Sequence, residues 1–402
     1  MTATPVRQAE RTTEEFTLRA ARRGWRTRLR RVGEGAFLLL IAAVAFELTA
    51  RVEDRIRYGT PVLSGYTDQS QLIVRDRTGM HGRPGARYRK FVLNNHGFRG
   101  PDITEAPAPG VARVLVVGAS ETFGLGESPG KEYPRQLEDS LAARIALLRQ
   151  LGVQRIEVVN AAMLGMSLPT LVEDVRHRLG KFGPAIMVAY PTPVQYLMDQ
   201  RPVAARPDST VVEVPEPSPW RLRSVPRLYE QTKQLLPARL ARALRARDID
   251  RTVSARPPGW VFDTIPEERV AAYEEDLRAF VGAARAIGAE PILMAHANVF
   301  SDAEPRDEGL LTAWRRFYPR ASEAVLVDFD RRVRGVTCRV AADSGVSFVN
   351  LDAHLDAPRK RYFADYSHFS DAGAGLVAGL LAGAVEQRLS GVRLAAVGSC
   401  PG

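Results

Sequence analysis

Between residues 113 and 390 the chain repeats one alternation. Predominantly apolar runs stand at 113–117, 155–159, 185–190, 290–295 and 346–350, and stretches of helical periodicity stand at 132–149, 168–181, 266–287, 321–343 and 371–388. A run such as Val114-Leu115-Val116-Val117 lacks the two-residue alternation of a half-solvated strand, which is the pattern of a strand covered on both faces. Five βα units of this kind predict a parallel five-stranded sheet between two helical layers. The alternation breaks at 198–262, a Pro- and Arg-rich stretch too long for a simple connection. Within it Leu236, Leu240 and Leu244 fall on one helical face, with Arg239, Arg242 and Arg245 around the other sides. We read this as an amphipathic helix packed on its own domain inside an insertion or lid; a partner surface and a membrane-surface helix are the other readings the pattern allows.

The start of the chain has a different pattern. Residues 1–31 are polar and basic and read as a loose tail. The uninterrupted apolar core Ala36–Phe46 is short for a spanning helix, which needs about 20 residues. Extended to 32–52 it reaches that length and admits Glu34, Glu47 and Arg51 near its ends, where charged groups reach the interface. The basic run Arg22–Arg31 before it places the N-terminus in the cytoplasm and everything after about residue 52 outside. Leu48-Thr49-Ala50 puts Leu where a signal-peptide cleavage site wants a small residue, so an uncleaved single-pass anchor is expected. Residues 53–112 form an irregular connector with short β-like pieces, Gln71–Val74 and Lys90–Leu93, ending at Ala106-Pro107-Ala108-Pro109-Gly110. Residues 391–402 are a tail.

Composition narrows the picture. With 402 residues, 45% hydrophobic and 25% charged, this is a folded chain. The net charge of +10 is local, because residues 1–60 hold twelve Arg against seven acids; this argues against a nucleic-acid partner. Two cysteines, Cys338 and Cys400, give neither metal spacing nor a disulfide framework, and read as two unpaired thiols. His81, His96, His177 and His354 show no metal-ligand spacing either. No metal and no cofactor are expected.

Chemistry enters at the turn Gly118-Ala119-Ser120-Glu121-Thr122-Phe123-Gly124. Ser120 follows the first strand of the sheet, where open α/β sheets place their sites. A serine hydroxyl needs a base within hydrogen-bond reach, and the base needs an orienting partner. His368 and Asp365, in Asp365-Tyr366-Ser367-His368 before the last helix, supply both, in the chain order Ser, Asp, His. The N–H of Ser120 and that of Gly165, in a turn after the second strand, are candidate oxyanion donors. His296, at the end of the fourth strand, is a candidate pocket residue or a structural histidine. Arg99 reads as a salt bridge fastening the connector.

Gly118-x-Ser120-x-Thr122-x-Gly124, Asn160 with Gly165, and Asp365-x-x-His368 resemble the SGNH/GDSL hydrolases over about residues 90–390. Asn94-Asn95-His96-Gly97-Phe98-Arg99-Gly100 is similar to the segment preceding the domain in membrane-anchored bacterial members. The resemblance implies a flavodoxin-like three-layer α/β/α sandwich, here preceded by a transmembrane helix, and metal-free serine esterase or acyl-transfer chemistry. It implies Ser120 as nucleophile, His368 as base, Asp365 as its orienter and Gly165 as an oxyanion donor. It also implies an ester-bearing substrate, and the expected location outside the membrane adds an envelope glycan to the small molecules considered; Asn160, Gln195 and His296 are the candidate contacts. Two positions depart from the pattern. Ala119 stands where the family has Asp, and no Asn follows the third strand in Tyr190-Pro191-Thr192-Pro193-Val194-Gln195-Tyr196. Thr192 or Gln195 is the candidate substitute donor. An acyltransferase using the same triad, or a binding protein that kept the fold without activity, are the alternatives.

Overall fold

The computed structural model describes residues 6–76, 79–150, 152–204 and 217–391. All five expected strands form: β1 (Val111–Gly118), β2 (Arg155–Asn160), β3 (Ile186–Tyr190), β4 (Glu290–Met294) and β5 (Ser347–Val349). Every pairing is parallel and the spatial order is β2-β1-β3-β4-β5. This is the flavodoxin-like order. Val114, Leu115, Val116 and Val117 are each 0% exposed, so this part of β1 is covered on both faces, as its unalternating apolar run requires.

The helices in chain order are α1 (Val6–Tyr58), α2 (Ser120–Phe123), α3 (Tyr133–Ala142), α4 (Ile145–Arg149), α5 (Leu168–His177), α6 (Ser224–Gln234), α7 (Ala238–Ser254), α8 (Glu267–Ala286), α9 (Glu308–Phe317), α10 (Glu323–Ser344) and α11 (Asp371–Leu389). On one side of the sheet α3 packs on α11 and β2; on the other, α8 packs between α5 and α10. The helix expected over 132–149 is interrupted after Ala142 and resumes at Ile145.

Three expectations are corrected. Residues 6–31 are not a loose tail but the first half of α1, which runs unbroken to Tyr58. Cys338, at 1% exposure within α10, is disulfide-bonded rather than a free thiol; the chain's other cysteine, Cys400, lies outside the described residues. The leucine row of the insertion does not face the domain: Leu240 and Leu244 are 47% and 48% exposed. Instead Ala243 and Ala246 of α7 line a cleft with Gly309 and Thr312 of α9, an approach that small side chains permit. Part of α1, Arg30–Tyr58, is long and apolar enough to cross a membrane, with Phe37, Leu38, Leu39 and Leu40 all exposed.

The connector is fastened as expected, through Arg99. Before it come two small antiparallel ladders, Ile73–Asp76 with Gly79–Gly82 and Arg87–Tyr88 with Phe91–Val92. The Arg99 backbone N–H donates to Asn160 O at the end of β2 (3.0 Å). Its guanidinium, 5% exposed, donates to the carbonyls of Phe123 and Gly124 and pairs with Glu132 at 3.3 Å. It also lies over the rings of Phe91 and Phe123. Removing one partner of a buried ion pair leaves the other charge uncompensated. Arg99→Ala is therefore expected to destabilise the fold by about 3–5 kcal/mol, measured by urea unfolding of the full chain, with Arg99→Lys recovering only part because a single ammonium cannot fork across two carbonyls and a carboxylate.

Candidate active site

β1 and β3 are neighbours whose following loops diverge, and the crevice outside their carboxyl ends is where this topology places ligands. Ser120 sits there as the first residue of α2. The turn is tight: a Cβ on Gly118 would lie 2.2 Å from Thr122 Oγ1 and 2.7 Å from Tyr190 O, so only glycine fits. The Asn160 side chain donates to Thr122 O at 2.9 Å, bracing α2 from the end of β2.

His368 arrives on a separately braced loop. Asp365 Oδ1 accepts the backbone N–H groups of Ser367 (3.0 Å) and His368 (2.9 Å), an Asx turn that brings the carboxylate back over the imidazole. Asp365 Oδ2 then takes Nδ1 of His368 at 2.7 Å, and Nε2 of the same ring meets Ser120 Oγ at 2.8 Å. Tyr366 of this turn stacks on Trp314, which stacks on Phe300. The Tyr366 carbonyl accepts from Val299 N–H (3.0 Å), joining the turn to the loop after β4. Gly126, from the loop after α2, lies so close to His368 that an added Cβ would sit 3.3 Å from His368 Cβ and 2.4 Å from Phe369 O.

A second acid, which the sequence pattern did not single out, stands beside Ser120. Glu121 is 2% exposed. Its Oε2 accepts from Thr192 Oγ1 at 2.8 Å and lies 3.4 Å from Ser120 Oγ; its Oε1 accepts from Ser367 Oγ at 3.2 Å and lies 3.7 Å from His296 Nε2. Behind it His296 Nδ1 meets Asp330 Oδ1 at 2.5 Å, and Asp330 Oδ2 accepts from Asn298 (2.8 Å) and Arg334 (3.2 Å). Arg334 pairs onward with Asp352, which also holds Arg359 at 2.8 Å.

These contacts set the charge states. Burial alone would raise the Glu121 carboxyl, but the His296 ring, ion-paired at 3.7 Å, and the positive field of His368 outweigh it and hold it down at about 2. Burial alone would lower His296; the Asp330 and Glu121 carboxylates outweigh it and push it up to about 9. For His368 burial is likewise outweighed, by the Asp365 hydrogen bond and then by the Glu121 and Asp365 charges, so its pKa lies above the ordinary imidazole range. Asp365 is held below the ordinary carboxylate range, because its bonds to His368 outweigh burial.

The remaining expected site residues are placed as follows. Thr192 gives its one hydroxyl proton to Glu121 and is not a free oxyanion donor. Asn160 turns inward, bonding Thr122 O and Ala162 N–H, and is 3% exposed; it supports α2 rather than facing the cleft. Gln195, 9% exposed, donates to Met166 O at 3.3 Å, tying β3's loop to the Gly165 turn. His296, 1% exposed, lies behind Glu121 rather than lining a pocket. Gly165 is exposed at φ +72°, with nothing within 4 Å of where a Cβ would stand. No group of three or more His, Cys, Asp or Glu that could hold a metal ion is found among the described residues.

No family model matches the chain, and no curated protein does. Solved structures give low-level similarity. One is a catalytic mutant of an acetylxylan esterase from Geobacillus stearothermophilus, at 15% identity and TM-score 0.37, covering 70% of this chain and 94% of that one. Another is the lipase/acylhydrolase from Enterococcus faecalis, at 16% and 0.36, covering 69% and 96%. A third is a GDSL-like lipase from Bacteroides thetaiotaomicron, at 11% and 0.31, covering 69% and 88%. At this level of similarity the sheet order carries the fold, and the geometry above carries the chemistry.

Glu121 places a fixed negative charge near the His368 imidazolium, so removing that charge destabilises the protonated ring. In Glu121→Gln, His368 is expected to titrate at lower pH than in the parent protein, read from its imidazole resonances by NMR, while Asp365→Asn lowers it further by removing the contact that does most to stabilise the protonated ring.

Proposed function

We propose that this chain is a serine-dependent acyl-ester hydrolase of the SGNH/GDSL type, held at a membrane by α1. The observation that carries the reading is the unbroken path Ser120 Oγ to His368 Nε2 to Asp365, at 2.8 Å and 2.7 Å, at the crevice where the loops after β1 and β3 diverge.

Ser120 Oγ attacks the ester carbonyl carbon while its proton passes to His368 Nε2. Asp365, bonded at Nδ1, fixes the tautomer and stabilises the imidazolium that forms. The oxyanion of the tetrahedral intermediate is received by backbone donors, the N–H of Ser120 at the start of α2 and that of Gly165. The first N–H groups of a helix have no partner within it, and a glycine lets substrate approach its own N–H closely. Collapse expels the alcohol, which takes the proton from His368. Water then gives its proton to His368 and attacks the acyl-enzyme, which releases the carboxylic acid and restores Ser120. The Cys338 disulfide fits an oxidising compartment, which supports a domain outside the membrane with the N-terminus in the cytoplasm.

Reaction of the full-length protein with a fluorophosphonate probe tests the nucleophile. Labelling is expected at Ser120 and lost in Ser120→Ala; parent protein that labels no better than this variant ends the enzymatic reading. Hydrolysis of short acyl esters is expected to fall by about 10⁴-fold in kcat for Asp365→Asn, which leaves the ring without its orienting acceptor. Turnover that appears only when a glycan hydroxyl is added would make the protein an acyltransferase instead. Because His368 must be neutral to act as base and its pKa is raised, kcat/KM is expected to climb with pH through a limb centred above 6.5.

A further inference from the structure

The outer end of α1 meets the domain through a clamp of buried charges. Arg51, 7% exposed, donates to Glu47 (2.6 Å) and to the carbonyls of Val62 (2.7 Å), Pro219 (3.1 Å) and Arg221 (2.8 Å). Glu47 also accepts the backbone N–H groups of Arg223 (2.9 Å) and Ser224 (2.8 Å), at the start of α6, where a helix leaves donors unpaired. One to two turns further out, Asp54 pairs with Arg223 at 3.3 Å and with Arg227, and Glu53 pairs with Arg227 at 2.8 Å. Residues 223–224 thus lie beside Glu47 and residue 227 beside Glu53 and Asp54, so α6 runs alongside α1 in the same direction.

This geometry fixes the height of the turn before α6. Residues 219–222 are held level with Glu47 and Arg51, where the apolar run of α1 ends. At that level side chains that a water-facing turn would not choose stand outward: Trp220 is 85% exposed, Leu222 55% and Val225 61%, with Arg221 exposed between the first two. The exposed apolar face of α1 continues directly into them through Phe46, Leu48 and Val52, at 39%, 53% and 49%. A Trp beside an Arg at the end of an apolar belt is the composition of a membrane–water interface, where the indole sits at headgroup depth and the guanidinium reaches outward.

We propose that the turn 219–222 and the first turn of α6 form a collar seated in the outer headgroup layer of the bilayer that α1 crosses, so that the domain rides on the membrane surface at a fixed orientation. The proposal rests on α1 being a span. It commits to a lipid surface because the patch is continuous with the span and the clamp gives the turn no freedom to leave that depth. Part of the insertion thereby serves as a footing on the bilayer.

The test uses full-length protein in phosphatidylcholine–phosphatidylglycerol vesicles. Single cysteines replace Trp220, Leu40 or Lys181 and carry an environment-sensitive fluorophore, with the unsubstituted protein as labelling control and near-ultraviolet circular dichroism confirming the fold of each. Lys181, half exposed just before β3 at the opposite edge of the sheet from Ser120, is the aqueous reference. The label at 220 is expected to shift to the blue and to lose more emission to headgroup-level spin-labelled lipid than to deep-chain spin-labelled lipid. The label at 40 should show the reverse order, and the label at 181 neither effect. In Arg223→Met, which breaks the pair with Asp54, the label at 220 should lose its quenching while the label at 40 keeps it. If position 40 is not quenched, α1 is not a span and both readings fall. If position 40 is quenched and 220 behaves as 181 does, the collar alone is wrong. A blue shift at 220 without lipid quenching means that the patch is covered by protein, and also overturns the collar.

Discussion

The hydrogen bond from Ser120 to His368 joins residues 248 positions apart, and every local feature of the carboxyl edge of the sheet serves to let it form. Neither group can find the other by local structure. Ser120 is fixed by a strand whose Val114–Val117 segment is fully buried and by a turn that admits nothing larger than glycine at 118. His368 is fixed by an Asx turn, by an aromatic stack reaching back to α9, and by a loop whose Gly126 leaves no room beside it for a Cβ. A 2.8 Å contact between two such groups requires both frames to be rigid, because a shift of about 1 Å from productive geometry is enough to cost about 10²-fold in rate.

Glu121 adds a second constraint at the same place. Burying a carboxylate is costly unless it is paired and hydrogen-bonded. Here two hydroxyls and a protonated imidazole do this, and the imidazole is itself balanced by Asp330, Asp330 by Arg334, and Arg334 by Asp352. The compensation therefore runs from beside Ser120 through β4's loop and α10 to the loop after β5. Removing one member leaves an uncompensated charge next to Ser120, which makes the network a positioning device for the site as well as part of the core.

The sheet was legible in the sequence because strands covered on both faces are mostly apolar, and five such runs separated by helical stretches leave few alternatives. Ser120, Asp365 and His368 were legible because their chemistry needs those residue types at the ends of those elements. Glu121 was not: a Glu after a Ser on a short helix has the pattern of a solvent-facing charge, and only the tertiary meeting with Thr192, Ser367 and His296 buries it. Asp330 was hidden for the same reason, as one acid among several on α10. The leucine row of α7 misled because periodicity identifies a face without saying what it faces; α9 is approached by the alanines instead. Thr192 and Asn160 were assigned outward roles by resemblance, but the polar groups they satisfy, a buried carboxylate and the carbonyl of Thr122, lie inside the protein.

Thr192 changes how charge is handled during the proposed reaction. Its proton is held by Glu121, so the side-chain donor that the resemblance led one to expect after β3 is absent from the oxyanion's surroundings, and a carboxylate stands 3.4 Å from the attacking oxygen. A fixed negative charge there opposes the oxyanion but favours the imidazolium that forms in the same step. Net stabilisation then depends on which of the two lies closer to the carboxylate and which is better shielded by backbone donors. With the oxyanion directed toward the N–H groups of Ser120 and Gly165, and the imidazolium held between Asp365 and the field of Glu121, the site shifts electrostatic stabilisation from the oxyanion toward the base. Such a balance suits an ester, whose alkoxide leaving group is protonated by the imidazolium as it departs, because the charge held on His368 is the acid needed in the next step.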